Sequence, residues 1–146
     1  MALTVLITGC SSGIGQALAL ELHARGHVVY ATARKAESLQ ALAAKGLKTL
    51  VLDVNDDASI AQAFAQVQAE QGQLNLLVNN AGFSQVGAVL DLTRDDLRRQ
   101  YETNVIAPLA VARAALPLLR ATKAKGQGAT IANVGSIVGL FTTPFA

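Results

Sequence analysis

The segment Thr8-Gly9-Cys10-Ser11-Ser12-Gly13-Ile14-Gly15 has the residue types and position of a phosphate cradle. It lies between an apolar run, Leu3 to Thr8, and a helical pattern from Gly13 to about Arg25. Glycine at such a turn removes the Cβ atoms that would hold a pyrophosphate away. The free N–H groups of the helix end then face the anion. Gly9 turns the chain off the strand, Gly13 and Gly15 open the helix start, and Ser11, Ser12 and Ile14 supply the rest of the cradle backbone. An ordinary glycine-rich turn is the plain alternative, and the strand-turn-helix context argues against it.

About 20 residues on, a nucleotide-binding unit that takes NAD places a carboxylate against the ribose 2′-hydroxyl. Here Val28-Val29-Tyr30-Ala31-Thr32-Ala33-Arg34-Lys35 offers Thr32 instead, followed by Arg34 and Lys35. No acid is there to repel a 2′-phosphate, and the Arg34 guanidinium can pair with one. The expected cofactor is NADP(H), the plain alternative for Arg34 being a solvated loop cation.

Short apolar, β-branched runs alternate with longer helical patterns, the signature of βα units around a parallel sheet. Strands are expected at Leu3 to Thr8, His27 to Thr32, Lys48 to Leu52, Leu74 to Val78 and Ala129 to Val134. They are nearly all apolar rather than alternating, as in a sheet covered by helices on both faces. Asn55 or Asp56 can cap a helix running through Glu70, with Gly72 ending it. Thr93-Arg94-Asp95-Asp96 has the form of a capping box. The helix it starts should continue to about Ala121 with a bend, because Pro108 has no N–H for the carbonyl of Asn104. The 146 residues, half of them apolar and 15% charged, suit a single domain spanning 1–146.

The spacing T-G-x-x-x-G-I-G resembles that of the short-chain dehydrogenase/reductase family. Further matches follow in order: Asp53-Val54, Asn79-Asn80-Ala81-Gly82, Asn104-Val105 and Gly135-Ser136. The resemblance implies an α/β fold with a doubly wound parallel sheet of Rossmann type, incomplete at its C-terminal side. It implies that Asp53 accepts a hydrogen bond from the adenine amino group, that Val54 gives backbone contacts, and that Asn80, Ala81 and Gly82 lie along the ribose. The activity implied is hydride transfer between NADP(H) and an alcohol or carbonyl. Within the family, T-G-C-S-S-G-I-G with Y-A-T-A-R looks most like the hydroxysteroid and retinol dehydrogenase branch.

By the same resemblance Ser136 is the serine that hydrogen-bonds the substrate oxygen, and Asn104 supports a proton-relaying water. Ala107 stands where many members have glycine three positions after that asparagine. The family's acid/base tyrosine, with a lysine four positions later, has no counterpart in the chain. Tyr30 is followed at that spacing by Arg34 and Tyr101 by Val105. The sequence therefore reads as the front part of such an enzyme, truncated before the dyad. Alone it is expected to bind nucleotide without turnover. A non-catalytic NADP(H)-binding sensor of the same fold is the competing expectation.

A net charge of +2 with no basic stripe gives nucleic-acid binding little support. The N-terminus lacks the basic start of a signal peptide, and no run of about 18 uninterrupted apolar residues suggests a membrane span. The lone Cys10 fits a reducing compartment, so a cytoplasmic location is expected. His23 and His27 have no ligand-spaced partners, and no metal site is expected. The apolar stripe of Leu109, Val111, Ala112, Ala115, Leu116 and Leu119 is core in the plain view. The family's use of this helix in dimers makes a homo-oligomer the expected assembly.

Overall fold

Strand β1 (Thr4–Ile7) is fully buried apart from a trace at Thr4, because it forms the centre of a parallel sheet. The computed structural model describes residues 2–141. Around β1 stand β2 (Val28–Ala33), β3 (Lys48–Val51), β4 (Leu76–Asn79) and β5 (Thr130–Asn133), in the order β3-β2-β1-β4-β5. Every pairing is parallel, with Thr4 opposite Val28, Val5 opposite Leu76, Tyr30 opposite Lys48 and Asn79 opposite Asn133. The order reverses direction at β1, so the chain winds outward twice from the centre. This is the doubly wound, Rossmann-type arrangement expected from the sequence.

Side chains of successive strand residues alternate between two apolar layers. Leu6, Tyr30, Leu50 and Leu77 face one layer, completed by helices α3 (Asp57–Gln71) and α5 (Ala107–Ala124). Val5, Ile7, Val29, Ala31 and Val78 face the other, with α1 (Gly13–Ala24) and the short α2 (Gln40–Ala43). Both faces are covered, which explains why these strands carry apolar residues at consecutive positions. The edge strands are the exceptions: Val51 on β3 is 52% exposed and Ile131 on β5 is 38% exposed.

Caps set the helix boundaries. The Asp56 carboxylate, not Asn55, accepts the Ala58 N–H at the start of α3, and Gly72 ends that helix at φ +62°. Thr93 and Asp96 form the expected reciprocal box at the start of α4 (Arg94–Tyr101). The bend expected after α4 takes the form of a π turn over Glu102–Ile106, in which the Ala107 N–H donates to the Glu102 carbonyl. Pro108 explains it: without a donor at that position the regular ladder cannot pass through Asn104, and the extra residue is absorbed as a bulge. Within the helical stretch from Arg94 to Ala124, one 18-residue window reaches a mean hydropathy of 1.4, enough by length and composition alone for a membrane-crossing segment. Val111, Ala115, Leu118 and Leu119 on it are buried in the layer it shares with α3.

Away from the carboxyl edge of the sheet, Glu70 gathers several partners. Its carboxylate accepts from the Tyr30 hydroxyl at 2.8 Å, Lys48 Nζ at 2.6 Å and Gln66 Nε2 at 2.8 Å. The hydrogen bond from Lys48, with those from Gln66 and Tyr30, lowers the carboxyl from 4.5 to about 2. Burial and the same carboxylate push the Tyr30 hydroxyl well above its ordinary value. A carboxylate depressed on folding stabilises the protein above its unfolded pKa, and that contribution is lost as pH falls toward the folded value. Glu70→Gln should therefore be less stable than the parent at pH 7, with the difference vanishing between pH 4.5 and about 2. Denaturant midpoints measured across that range check it, and a difference independent of pH would refute it.

Candidate functional site

The carboxyl ends of the strands are joined through Thr8. Its Oγ1 accepts from the backbone N–H groups of Asn80 at 3.0 Å and Ala81 at 2.9 Å. The Asn80 side chain returns the contact, donating Nδ2 to the carbonyls of Thr8 at 2.9 Å and Gly9 at 3.1 Å. Thr8 is 1% exposed, and a buried hydroxyl at a strand end must find such partners. The glycine loop and Asn80-Ala81 are thereby one rigid unit.

Within that unit the glycines differ. A Cβ on Gly9, at φ +74°, would lie 2.8 Å from the Ala81 Cα. On Gly15 it would collide with Asn80 Nδ2 and the Gly9 carbonyl oxygen. Gly15 therefore lets α1 pack against the loops, and its Cβ direction is filled by protein. Gly13, at φ +61°, has no atom near its Cβ direction and opens outward. This is a sharper division than the sequence offered, where Gly13 and Gly15 were both assigned to the approach of a phosphate.

Ser12 is the extended N-cap of α1 and makes no side-chain bond to the first turn, which contains no acid. The N–H groups there have no side-chain cap, while Ser11, Ser12, Gly13 and Ile14 are exposed, Ile14 by 67%. An open glycine before an uncapped helix end fits a pyrophosphate. Cys10, in contrast, is fully buried, its Sγ against the Ile7 carbonyl at 3.3 Å. Burial raises the thiol to about 11, so it fills space and is not a nucleophile.

Thr32 does not turn toward a ribose: it is fully buried, and its hydroxyl donates to the Ile7 carbonyl at 3.0 Å. Arg34 and Lys35 follow as exposed residues, and neither forms an ion pair among the described residues. The site therefore offers free cations beyond β2 and no carboxylate from β2 itself. At the end of β3, Asp53 accepts the Asn55 N–H on Oδ1 at 3.0 Å, and its own N–H donates to Ser59 Oγ at 2.9 Å. Val54 is buried in the α3/α5 layer.

Asn104 sits in the π turn and reaches across to the segment after β4. Its Nδ2 donates to the Phe83 carbonyl at 2.8 Å, and its Oδ1 accepts the Phe83 N–H at 3.2 Å. Gly82 lies beneath this clamp, where a Cβ would come within 3.1 Å of Asn104 Oδ1. Ser136 leaves the end of β5, held there by the Val134 N–H donating to the Asn79 carbonyl at 2.9 Å. Its Oγ accepts the Val138 N–H at 3.3 Å, which leaves the hydroxyl proton free to donate.

Direct contacts thus join the glycine loop, Asn80 and Ala81, and separately Asn104 with Phe83. Arg34, Asp53 and Ser136 share the same edge through the ends of β2, β3 and β5, with no hydrogen bond to those groups among the described residues. Thr8 and Asn79 are site residues that the motifs did not single out for their side chains. Asn79 Nδ2 donates to Asn133 Oδ1 at 2.9 Å and to the Pro108 carbonyl at 3.3 Å, tying β4, β5 and α5 together. A polar residue at the end of an otherwise apolar strand was the available signal for both.

An uncapped helix end beside an open glycine, at the switch point of a doubly wound sheet, is the arrangement that dinucleotide-binding folds share. The family follows from comparison: residues 3–146 match the short chain dehydrogenase model, and the chain belongs to that family. It is 40% identical to the NADPH-dependent 1-acyldihydroxyacetone phosphate reductase of Schizosaccharomyces pombe, over 97% of this chain and 46% of that protein. Retinol dehydrogenase 5 of Homo sapiens is also 40% identical, over 92% of this chain and 43% of its own length. The structure superimposes on an NADPH-bound carbonyl reductase from chicken fatty liver with a TM-score of 0.87 and 35% identity. That match covers 97% of this chain and 64% of the reductase. The chain spans about half the length of the curated relatives it matches.

Proposed function

We propose that the protein is an NADP(H)-dependent oxidoreductase acting on a small-molecule alcohol or carbonyl, and that these residues hold its nucleotide. The bound nicotinamide would supply or accept the hydride. The chain's own residues bind and orient. The α1 N-terminus and Gly13 receive the pyrophosphate, Arg34 pairs with the 2′-phosphate, Asp53 and Val54 hold the adenine, and Asn80 to Gly82 border the ribose. Ser136, its proton free, donates to the substrate oxygen. Asn104 pins the Phe83 backbone, and Pro108 withholds the donor its carbonyl would meet in a regular helix, which suits a water on the proton path. The single buried cysteine accords with a cytoplasmic enzyme. Oligomerisation through the α4–α5 face is part of the same proposal.

The observation that carries the cofactor assignment is the pair of exposed cations, Arg34 and Lys35, without ion-pair partners among the described residues, at the same sheet edge as the uncapped start of α1. The relatives' names support it, one being NADPH-dependent and one NADPH-bound. The full-length natural polypeptide should bind NADPH more tightly than NADH in a fluorescence titration and oxidise it when a carbonyl compound is added. Failure to bind either nucleotide would reject the proposal. The 146-residue polypeptide, in which no tyrosine has a lysine four positions later, should bind without turnover.

A further inference from the structure

We infer that Asn55 and Thr103 are positioning residues that couple the adenine end of the nucleotide site to the clamp on Phe83. The inference rests on the assignment of Asp53 to the adenine and adds residues that assignment does not use.

Asn55 stands between two functional groups. Its backbone N–H holds the Asp53 carboxylate at 3.0 Å, and its side-chain Nδ2 donates to Thr103 Oγ1 at 2.9 Å. Thr103 is the residue before Asn104 in the π turn, and Asn104 grips both polar groups of the Phe83 backbone. Among the described residues, Asn55–Thr103 is the only hydrogen bond between the β3–α3 connection and the α4–α5 helical stretch. Beside it, Val54 of the connection belongs to the buried apolar cluster that also holds Ala107 and Val111 of α5.

The element it touches is the π turn that presents the Asn104 amide. A π turn differs from regular helix by one hydrogen-bond register, and Pro108 already prevents the regular ladder at Asn104. A bond to Thr103 from a loop fixed by nucleotide selects one orientation of the turn, and with it the direction in which Asn104 presents its amide. Coupling between the two ends then follows a contiguous chain of contacts, from Asp53 through Asn55 and Thr103 to Asn104 and the Phe83 backbone. Neither Asn55 nor Thr103 touches the reacting atoms, so their effect is on how one half of the cofactor prepares the site for the other.

The test splits the cofactor. Adenosine 2′,5′-bisphosphate occupies the adenine end and reduced nicotinamide mononucleotide the other. In the full-length protein the first should tighten binding of the second by about tenfold, within the usual range of coupling between sites, and the second should tighten the first equally. It should also slow amide hydrogen exchange at Phe83, whose N–H is the clamped donor. Asn55→Ala and Thr103→Val should each bind the bisphosphate within about twofold of the parent, yet lose both the tightening and the protection. If the variants keep both, or if the parent shows neither while binding the bisphosphate, the coupling is refuted. If the parent does not bind the bisphosphate at all, it is the NADP(H) assignment that has failed. Thermal melts of the variants within a few degrees of the parent exclude loss of fold as the cause.

Discussion

Gly15→Ala should destabilise the protein by about 3 kcal/mol, at the upper end for an overpacked site and a large share of the stability of an ordinary domain. The added methyl points at Asn80 Nδ2 and at the Gly9 carbonyl oxygen, one of them backbone and the other held by two hydrogen bonds. Neither can withdraw alone. Moving Asn80 breaks its bonds to the carbonyls of Thr8 and Gly9, and moving Gly9 presses it onto Ala81. Gly13→Ala supplies the contrast. Its Cβ meets nothing, so the cost is confined to the left-handed backbone at φ +61°, about 1 kcal/mol. Guanidinium unfolding of the two variants should show the difference. Nucleotide titration should show the reverse order of interest: Gly13→Ala folds, but its methyl enters the space where a phosphate would sit. Equal stabilities for the two variants would mean that the loop yields where the structure says it is wedged.

The difference between these two glycines indicates what a sequence does and does not disclose. The loop's place between strand and helix was legible because local signals agree: an apolar run, a glycine cluster and a 3.6-residue periodicity. The capping box at Thr93 and Asp96 was legible for the same reason, being complete within four residues. What each glycine faces was not, because the atoms that crowd Gly15 come from Asn80, distant in sequence and brought near by the pairing of β1 with β4. Thr32 shows the same limit. Its position matched the place of a ribose-binding acid, yet at the centre of a sheet its hydroxyl had a nearer acceptor in the Ile7 carbonyl. Pro108 announced a break in the helix but not its form. Whether a missing donor yields a kink or a π turn depends on how the flanking segments pack, here Asn104 on Phe83 and Val111 in the layer shared with α3. Asn55 looked only like a candidate cap, and the structure gave the cap to Asp56 and left the Asn55 amide for Thr103.

Arg34→Glu should weaken NADPH binding by about 100-fold while leaving NADH binding nearly unchanged. A charge-assisted bond between guanidinium and phosphate is worth roughly 1.5–3 kcal/mol, and about 1.4 kcal/mol is one decade in affinity. Losing the bond therefore accounts for one to two decades, and the new carboxylate adds repulsion of a dianionic phosphate. NADH presents a hydroxyl at that position, which loses no ionic partner and can donate to the new acid. The preference should therefore invert rather than merely shrink. Arg34→Ala separates the two contributions, since it removes the attraction without adding repulsion and should cost about tenfold. Because Arg34 is exposed, part of its effect is screened, so the NADPH penalty should diminish as salt is raised from 0.05 to about 0.5 M. Fold should be unaffected, as no residue of the protein pairs with Arg34 among the described ones. An NADPH dissociation constant unchanged in Arg34→Glu would assign the 2′-phosphate elsewhere. A matching loss in Lys35→Glu would then identify the neighbouring cation as its partner, since Lys35 is the other free charge that β2 delivers to this edge.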